Sequence, residues 1–480
     1  MHIIYSMQQS YTLDTLFSDL DVTINQKGHR RTFEELFSIN FVKYDASRIA
    51  SLQLAIHQLS EKDISSIIDN NPTVKKISWP AFENFLLNYL ICVRDLDPWS
   101  VIRSIDLMIT VFECQSILFN PKTAFHDQIS KQAIPYFEES MALMIPLSKF
   151  IDIESMHLHN RNYDYPRLTH ISTILLKALN NIRSTPDLND RMNVGKINLL
   201  FHISTSLCNV YYKIGSPILC SNVFSNVNIL NLNRRYVSLS SLVTFRFIMG
   251  KYYAHQSNFM VSFHHLRACF ESITVDNCPM TNILIILKYI VPVGLIVGKV
   301  ADINRIRARL LKNGAQNDET RKLDALLNIY QPLVSNYKVG NCYGVYKTIF
   351  DNEAYWKHIG LWIPMLQRLR IPIFRNLAHQ LWKMNGGNLT FGMLKTGLRV
   401  SMQGMETLGT AYQVKEDNYL EVDDLFVDNV LASIVFNGFL KMKMNADRTL
   451  YFSKNDIFPD MHTVLSGRFS LNPREAWLDN

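Results

Sequence analysis

The residues most suggestive of chemistry in this sequence are basic side chains in stretches that lack acids. From Lys357 to Met405 there is no Asp or Glu. The basic residues of this stretch are Lys357, Arg368, Arg370, Arg375, Lys383, Lys395 and Arg399. A second acid-free stretch, residues 191–270, contains Arg191, Lys196, Lys213, Arg234, Arg235, Arg246, Lys251 and Arg267. Segregated positive charge attracts polyanions, so the pattern predicts nucleic acid or an acidic protein segment as a partner. The alternative is that these charges are scattered over several helices and form no common face.

Spacing indicates which of these side chains could share a face. Arg368, Arg375 and Lys383 are separated by steps of seven and eight residues, close to two helical turns, so they fall near one stripe of a helix. Lys395 and Arg399 are four residues apart and are therefore neighbours on a following helix. Side chains arranged in this way could neutralise successive phosphates without reading the bases.

The sequence argues against an enzyme. It contains no H-E-x-x-H, G-x-S-x-G or G-x-G-x-x-G pattern, and the adjacent His264 and His265 diverge on a helix. Its seven cysteines are widely spaced without a C-x-x-C pair, which is typical of reduced thiols in a cytosolic or nuclear protein and argues against a zinc site. The start of the sequence has no pattern typical of a signal peptide. We therefore expect no catalytic residues, no metal and no cofactor.

The most apolar stretch, ILIILKYIVPVGLIVGKV at residues 283–300, has three possible interpretations. A membrane helix needs about 20 largely apolar residues, but Lys288 lies near the middle of this stretch and Pro292 follows it. A phosphate-binding loop needs G-x-x-x-x-G-K-[ST], but Gly294 and Gly298 are one residue too close and Val300 replaces the hydroxyl. The stretch is therefore predicted to be a buried helix or helix pair, bent at Pro292.

The elements that must position these residues are predicted to be mainly helices. Apolar residues recur at steps of three and four, and short polar breaks separate the segments, as in an α-solenoid of packed helical pairs. Near residue 355 the pattern changes to a long helical stretch interrupted or bent at Pro364 and Pro372, followed by a shorter helix. A third helix ends near Gly438, and a hairpin with period-two alternation follows. Three helices and then a two-stranded hairpin is the order of a winged helix.

The hairpin adds basic residues to the candidate surface. Lys441 and Lys443 alternate along its first strand and so point to the same side, and Arg448 lies at its turn. The residues predicted to contact nucleic acid are Arg368, Arg370, Arg375, Lys383, Lys395, Arg399, Lys441, Lys443 and Arg448. The alternative is a solvated surface whose side-chain stems cover apolar residues.

The C-terminal segment VDNVLASIVFNGFLKMKMNADRTLYFSKNDIFP resembles the end of a PCI domain, and TFRFIMGKYYAHQSNFMVSFHHLRACFESI resembles that family's paired helices. The segments NYLICVRDLDPWS, YYKIGSPILCSNVFSNV and LKYIVPVGLIVGKV together resemble the PCI-domain mRNA-export subunit of the second TREX (transcription-export) complex of yeasts. The resemblance covers residues 79–459. It divides the chain into N-terminal helical repeats (1–235), a PCI helical-repeat part (236–354), a winged helix (355–460) and a C-terminal tail (461–480).

The resemblance implies a non-enzymatic scaffold that binds RNA or DNA in transcription-coupled mRNA export and genome stability. It also implies a larger GANP-like PCI scaffold as partner, whose winged helix pairs with that of this chain. A small, acidic, disordered peptide shared with the proteasome lid is a further implied partner. The implied location is the nucleus, at the nuclear pore, without membrane insertion. The alternative is a purely structural PCI subunit of a signalosome-like or initiation-factor-like assembly that has no nucleic-acid role.

Overall fold

The structure, a computed structural model, describes residues 11–25, 32–40, 43, 46–97, 99–123, 127–159, 165–274, 278–311, 318–411 and 421–479. Within these ranges nearly all regular structure is helical, and the only sheet is a two-stranded hairpin. The mainly α, helical-repeat fold predicted from the sequence is confirmed. None of the helices in the described ranges is both long enough and apolar enough to span a bilayer.

By internal contacts the chain divides into two units, residues 1–245 with 477–480 and residues 246–476. The four-part division given above stays a prediction. The α-helices that lie wholly in the first unit are α1 (Leu13–Asn25), α2 (Phe33–Phe37), α3 (Ala46–Ile56), α4 (Glu61–Asn70), α5 (Pro72–Ile77), α6 (Pro80–Asp95), α7 (Val101–Ile117), α8 (Asp127–His159), α9 (Pro166–Arg183), α10 (Val194–Lys213) and α11 (Cys220–Asn228). The 3-10 turns of this unit are Arg191–Asn193, Pro217–Leu219 and Arg234–Tyr236.

Helix α12 (Leu239–His255) crosses the boundary between the units in sequence, as does the 3-10 turn Pro473–Leu478. The elements that lie wholly in the second unit are α13 (Phe259–Ser272), α14 (Met280–Ile296), α15 (Ile303–Leu310), α16 (Asp318–Val339), α17 (Cys342–Asp351), α18 (Glu353–His358), α19 (Trp362–Arg368), α20 (Arg370–Met384), α21 (Phe391–Met402), α22 (Met405–Ala411), α23 (Asp424–Phe436), β1 (Met442–Met444), β2 (Leu450–Phe452) and α24 (Met461–Arg468).

Neighbouring helices in the sequence pack against one another in both units, as expected for helical repeats. In the first unit α6 packs on α7 and α9 packs on α10, and in the second α13 packs on α14 and α16 on α17. Helix α9 shows the sequence basis of this packing. Its buried residues Leu168, Ile171, Leu175, Ala178 and Ile182 recur at steps of three and four, so one apolar face is buried between neighbours.

Residues 283–296 of the apolar stretch lie in the largely buried helix α14, as predicted, whereas residues 297–300 follow the end of that helix. Pro292 lies inside α14, whose residues are largely buried. Proline has no N–H, so it cannot bond the carbonyl of Lys288 four residues earlier. The hydroxyl of Tyr330 on α16 donates to that carbonyl at 3.1 Å instead. A second tyrosine of α16, Tyr337, donates to Leu295 O at 2.8 Å near the end of α14. Side chains of α16 thus supply hydrogen bonds that α14 itself does not make.

Candidate nucleic-acid interface

Helices α20, α21 and α23 with the hairpin β1–β2 form what we call the C-terminal module. Helix α20 packs on both α21 and α23, and α21 also packs on α23. The hairpin is antiparallel, with Lys443 opposite Tyr451. The chain runs α20, α21, α22 and α23 before the hairpin, so the order agrees with the predicted three helices and a hairpin except for the additional short helix α22 between α21 and α23.

A close backbone approach fixes α20 against the end of α16. Gly340 has a φ of +79°, and a Cβ at this position would lie 2.5 Å from the backbone of Leu377 on α20. The carbonyl of Gly340 accepts a hydrogen bond from Ser401 Oγ of α21 at 2.6 Å. The same hydroxyl accepts from the backbone N–H of Cys342 at 2.9 Å. Glycine at position 340 therefore lets α20 pack closely on the end of α16, and the hydroxyl of Ser401 ties α21 to the same point.

Two of the predicted basic residues are neutralised by an acid from a distant part of the sequence. Lys395 Nζ lies 2.5 Å from Asp424 Oδ1, and Arg448 pairs with the other carboxylate oxygen of Asp424. Arg448 also lies 3.4 Å from Asp428, and its guanidinium stands 4.9 Å from the ring centre of Phe391. Hydrogen bonds from Lys395 and Arg448 lower the pKa of the Asp424 carboxyl. A stretch without acids in the sequence can therefore still have an acid beside it in the fold, because Asp424 of α23 lies next to Lys395.

The hairpin lysines differ in their environments. The strand β1 begins at Met442, so Lys441 lies one residue before it rather than within it. Lys441 Nζ is 3.2 Å from Asp456 Oδ2. Lys443 lies within the strand and is exposed.

Arg375 has a structural environment. It is half-buried, and its guanidinium donates to the carbonyls of Phe458 and Pro459, both at 3.1 Å. The guanidinium also lies 5.5 Å from the centre of the Phe458 ring. Burial lowers the pKa of Arg375. Through these contacts Arg375 binds the segment that follows the hairpin, so its guanidinium is not available to a phosphate.

The predicted stripe of Arg368, Arg375 and Lys383 is divided between two helices. Arg368 ends α19, and α20 begins at Arg370. Pro372 has no N–H to bond the carbonyl of Arg368, which is a physical reason for the break. The interruption predicted at Pro372 is therefore confirmed, whereas Pro364 lies in the first turn of α19.

The remaining predicted residues are exposed. Arg370 lies 5.7 Å and 5.5 Å from the ring centres of Phe374 and Phe426, and Arg399 donates from Nε to Val422 O at 3.3 Å. Arg368, Lys383 and Lys443 are exposed and form no ion pair with any residue that the structure describes. These last three retain their charge for a ligand. Whether any of the nine contacts nucleic acid stays a prediction.

In the first acid-free stretch the basic residues are dispersed. Lys196 is buried and lies 2.8 Å from Asp127. Arg246 is buried as well, and Arg267 pairs with Glu271 at 2.7 Å. These residues therefore agree with the alternative given above, in which the charges are scattered over several helices and form no common face.

Potential metal ligands and nucleophiles have ordinary structural surroundings. No cluster of His, Cys, Asp or Glu suited to a metal occurs in the described ranges. His265 is buried and its Nε2 lies 3.0 Å from Glu475. Six of the seven cysteines are buried as free thiols, and burial raises the pKa of Cys92 and of Cys269 to about 12. Thiols in this state are protonated and poorly nucleophilic at neutral pH.

Sequence reasoning missed two kinds of residue. Asp424 and Asp428 were not connected with the basic set, and Arg468 of α24 was not included in it. Arg468 donates from one guanidinium nitrogen to Phe436 O at 2.8 Å, at the end of α23. Arg468 follows the hairpin in a region that was predicted to be a C-terminal tail. No pattern in that region indicates that its side chain contacts the end of α23.

Comparison with known proteins gives two similarities that cover much of the chain. The sequence is 26% identical over 449 residues to the nuclear mRNA export protein THP1 of Saccharomyces cerevisiae, covering 89% of this chain and 94% of that protein. It is 25% identical over 287 residues to a PCI domain-containing protein of Schizosaccharomyces pombe, covering 59% of each. No family model matches the chain. The resemblance to a PCI-domain mRNA-export subunit stated from the sequence is confirmed.

Proposed function

We propose that this chain, a relative of PCI-domain mRNA-export proteins along most of its length, acts as a non-enzymatic scaffold in nuclear mRNA export. The observation that carries the proposal is the similarity to a nuclear mRNA export protein over 89% of the chain. The helical-repeat architecture supports it, because stacked helices offer extended surfaces for binding partners. A nuclear location, at the pore, follows from the same proposal.

The proposed ligand of the C-terminal module is RNA or DNA. Lys383 and Lys443 of the module, and Arg368 at the end of the preceding helix α19, are exposed and form no ion pair in the described ranges, which supports contact with phosphates. Arg370 and Arg399 add exposed positive charge nearby. Binding of this kind is electrostatic and independent of base sequence, because it depends on the release of counterions from the phosphate backbone.

The proposed protein partners follow from the resemblance. They are a larger GANP-like PCI scaffold, which would place a second winged helix beside the C-terminal module, and the small acidic disordered peptide shared with the proteasome lid. Purification of the tagged chain from nuclei with mass spectrometry tests both. Recovery of deneddylase or ribosomal partners in their place would contradict the export assignment.

A purely structural PCI subunit is a second candidate, and one observation favours it. Lys395, Lys441 and Arg448 are each paired with an acid, which reduces the charge available to phosphates. Direct measurement of nucleic-acid binding separates the two candidates.

The test uses the full-length chain and a fluorescent single-stranded RNA in an anisotropy assay over a series of salt concentrations. Charge reversal of the three basic side chains that form no ion pair (R368E, K383E, K443E) is expected to weaken binding to every RNA sequence. It should also reduce the slope of log K against log salt by about 0.7 for each phosphate that the variant no longer neutralises. Arg375 is left unchanged because its substitution would disturb the fold.

A matched control reverses three exposed lysines of the first unit, Lys62, Lys76 and Lys122. It changes the net charge equally. If both triple variants weaken binding to the same extent, the C-terminal module has no special role. If the wild-type chain binds no RNA or DNA, the structural alternative stands.

A further inference from the structure

A cavity of about 610 Å³ lies within the second unit, and neither Asp424 nor Asp428 lines it. Its walls come from the start of α13, the end of α14, the junction of α19 and α20, the residues after α23, and the end of α24. Cavities of about 300–1,000 Å³ are typical of small-molecule sites. Its volume therefore suits a ligand of the size of a single nucleotide.

Two arginines line this cavity. Arg368 is exposed and has no partner in the described part of the chain. Arg468 is held by its hydrogen bond of 2.8 Å to Phe436 O, and the described residues offer no acceptor to its other guanidinium nitrogens. No Asp or Glu is among the described residues that line the cavity, whereas the amide side chains of Gln367 and Asn437 are. The lining is therefore positively charged and rich in hydrogen-bond donors.

The cavity also has an aromatic and apolar side. Phe469, the residue after Arg468, lines it and is 55% exposed. Met260, Pro372 and Leu465 contribute further apolar surface. An exposed phenylalanine next to a positively charged cavity is the combination by which proteins bind unpaired nucleotides, since the ring stacks on a base while arginines bind the phosphate.

We propose that this cavity binds one nucleotide of a single-stranded nucleic acid, with the phosphate on Arg368 and Arg468 and the base against Phe469. The inference rests on the proposed nucleic-acid function and names the part of the ligand that is recognised. Arginine has a planar fork that matches a phosphate in two hydrogen bonds. A carboxylate of an acidic peptide could use the same arginines, but it would leave the aromatic side of the cavity without a role.

The cavity and the hairpin turn differ in charge for a structural reason. Helix α23 has 13 residues, so its two ends are about 20 Å apart at 1.5 Å per residue. Asp424 and Asp428, which neutralise Arg448, lie in its first turns, whereas its last carbonyls accept from Arg468. The C-terminal end of α23, beside the cavity, therefore lacks the acids that neutralise Arg448 at the other end of the helix.

The experiment measures anisotropy of a labelled 12-nucleotide oligouridylate and of a 12-base-pair duplex with the full-length chain. F469A is expected to weaken binding of the single strand by about tenfold, as for removal of one stacked base, and to leave duplex binding unchanged. R368A and R468A should weaken both, and AMP should compete for the wild-type site better than inorganic phosphate. R321A, which removes an exposed arginine of α16 that has no ion pair in the described ranges, is the control and should bind as the wild type does.

The outcomes separate this inference from the function on which it rests. If F469A binds the single strand as tightly as the wild type, or weakens single strand and duplex equally, the nucleotide site is overturned while the basic surface stands. If a glutamate-rich peptide displaces the oligonucleotide from the cavity and AMP does not, the ligand is a carboxylate and the assignment is wrong. If the wild-type chain binds neither nucleic acid, the proposed function fails as well. Far-ultraviolet circular dichroism melts of each variant show whether it is folded.

Discussion

Replacement of Asp424 by Asn is expected to strengthen nucleic-acid binding. Asp424 holds Lys395 Nζ at 2.5 Å and also pairs with Arg448. Asparagine has nearly the same shape but no charge, so both cations become available to phosphates. The prediction is informative because most substitutions in a binding surface weaken binding.

The expected magnitude follows from the number of cations released. Each additional phosphate contact steepens the dependence of log K on log salt by about 0.7 for single-stranded nucleic acid. Two released cations therefore give a slope steeper by at most about 1.4. The full value is an upper bound, because Asp428 remains 3.4 Å from Arg448.

The substitution has a small cost in stability. Asp424 is in the first turn of α23, where a negative charge interacts favourably with the helix dipole, so this contribution is lost in the variant. The helix keeps its N-cap, because the side chain of Asp423 accepts from Phe426 N at 2.7 Å. The module should therefore remain folded, and urea denaturation of the variant checks this.

The assay is the anisotropy titration with labelled single-stranded RNA at several salt concentrations. Asp447→Asn is the matched control, since it makes the same change in net charge at the residue that precedes Arg448. Asp447 bonds Thr449, and no ion pair of Asp447 occurs in the described ranges. Equal salt slopes for D424N and D447N would refute the reasoning, because they would show that only net charge matters.

Three further predictions concern stability, each measured by urea denaturation. Y330F should lower the free energy of unfolding by about 0.5–1.5 kcal/mol, since it removes the hydrogen bond to the half-buried carbonyl of Lys288. No change in stability would contradict this. R375A should destabilise the chain by a similar amount, because it removes the hydrogen bonds to two carbonyls. R368A is the control and should leave the free energy of unfolding unchanged. Equal losses of stability in the two variants would contradict this prediction. His379 has its pKa lowered to about 4, mainly by burial and also by nearby cations, so the unfolded chain takes up a proton near pH 6.5 before the folded chain does. The free energy of unfolding should therefore fall between pH 7 and pH 5, and it should fall less in H379Q than in the wild type. The same pH dependence in both proteins would show that His379 does not contribute.

The order of the elements could be predicted from the sequence because it depends on local patterns. The break before Pro372, the end of α23 near Gly438 and the alternation in the hairpin each follow from the residues at that place. The burial of α14 follows from its composition in the same way. Such features need no knowledge of distant parts of the chain.

The state of the charges could not be predicted in this manner. Lys395 and Asp424 are 29 residues apart, and nothing in either segment indicates that they meet. Arg375 looks like a surface residue by its spacing, but its surroundings include Phe458 and Pro459, more than 80 residues later. A gap in the distribution of acids along the sequence therefore says little about the potential at the surface.

The hydrogen bond between Tyr330 and Lys288 has a consequence for the evolution of this chain. The hydroxyl is needed because Pro292 cannot bond that carbonyl, so the two positions should change together. A chain with alanine at position 292 regains the backbone donor and should tolerate phenylalanine at position 330. In a double-mutant cycle, Y330F should cost less in the P292A background than in the wild type, and related sequences should show the same dependence between the two positions.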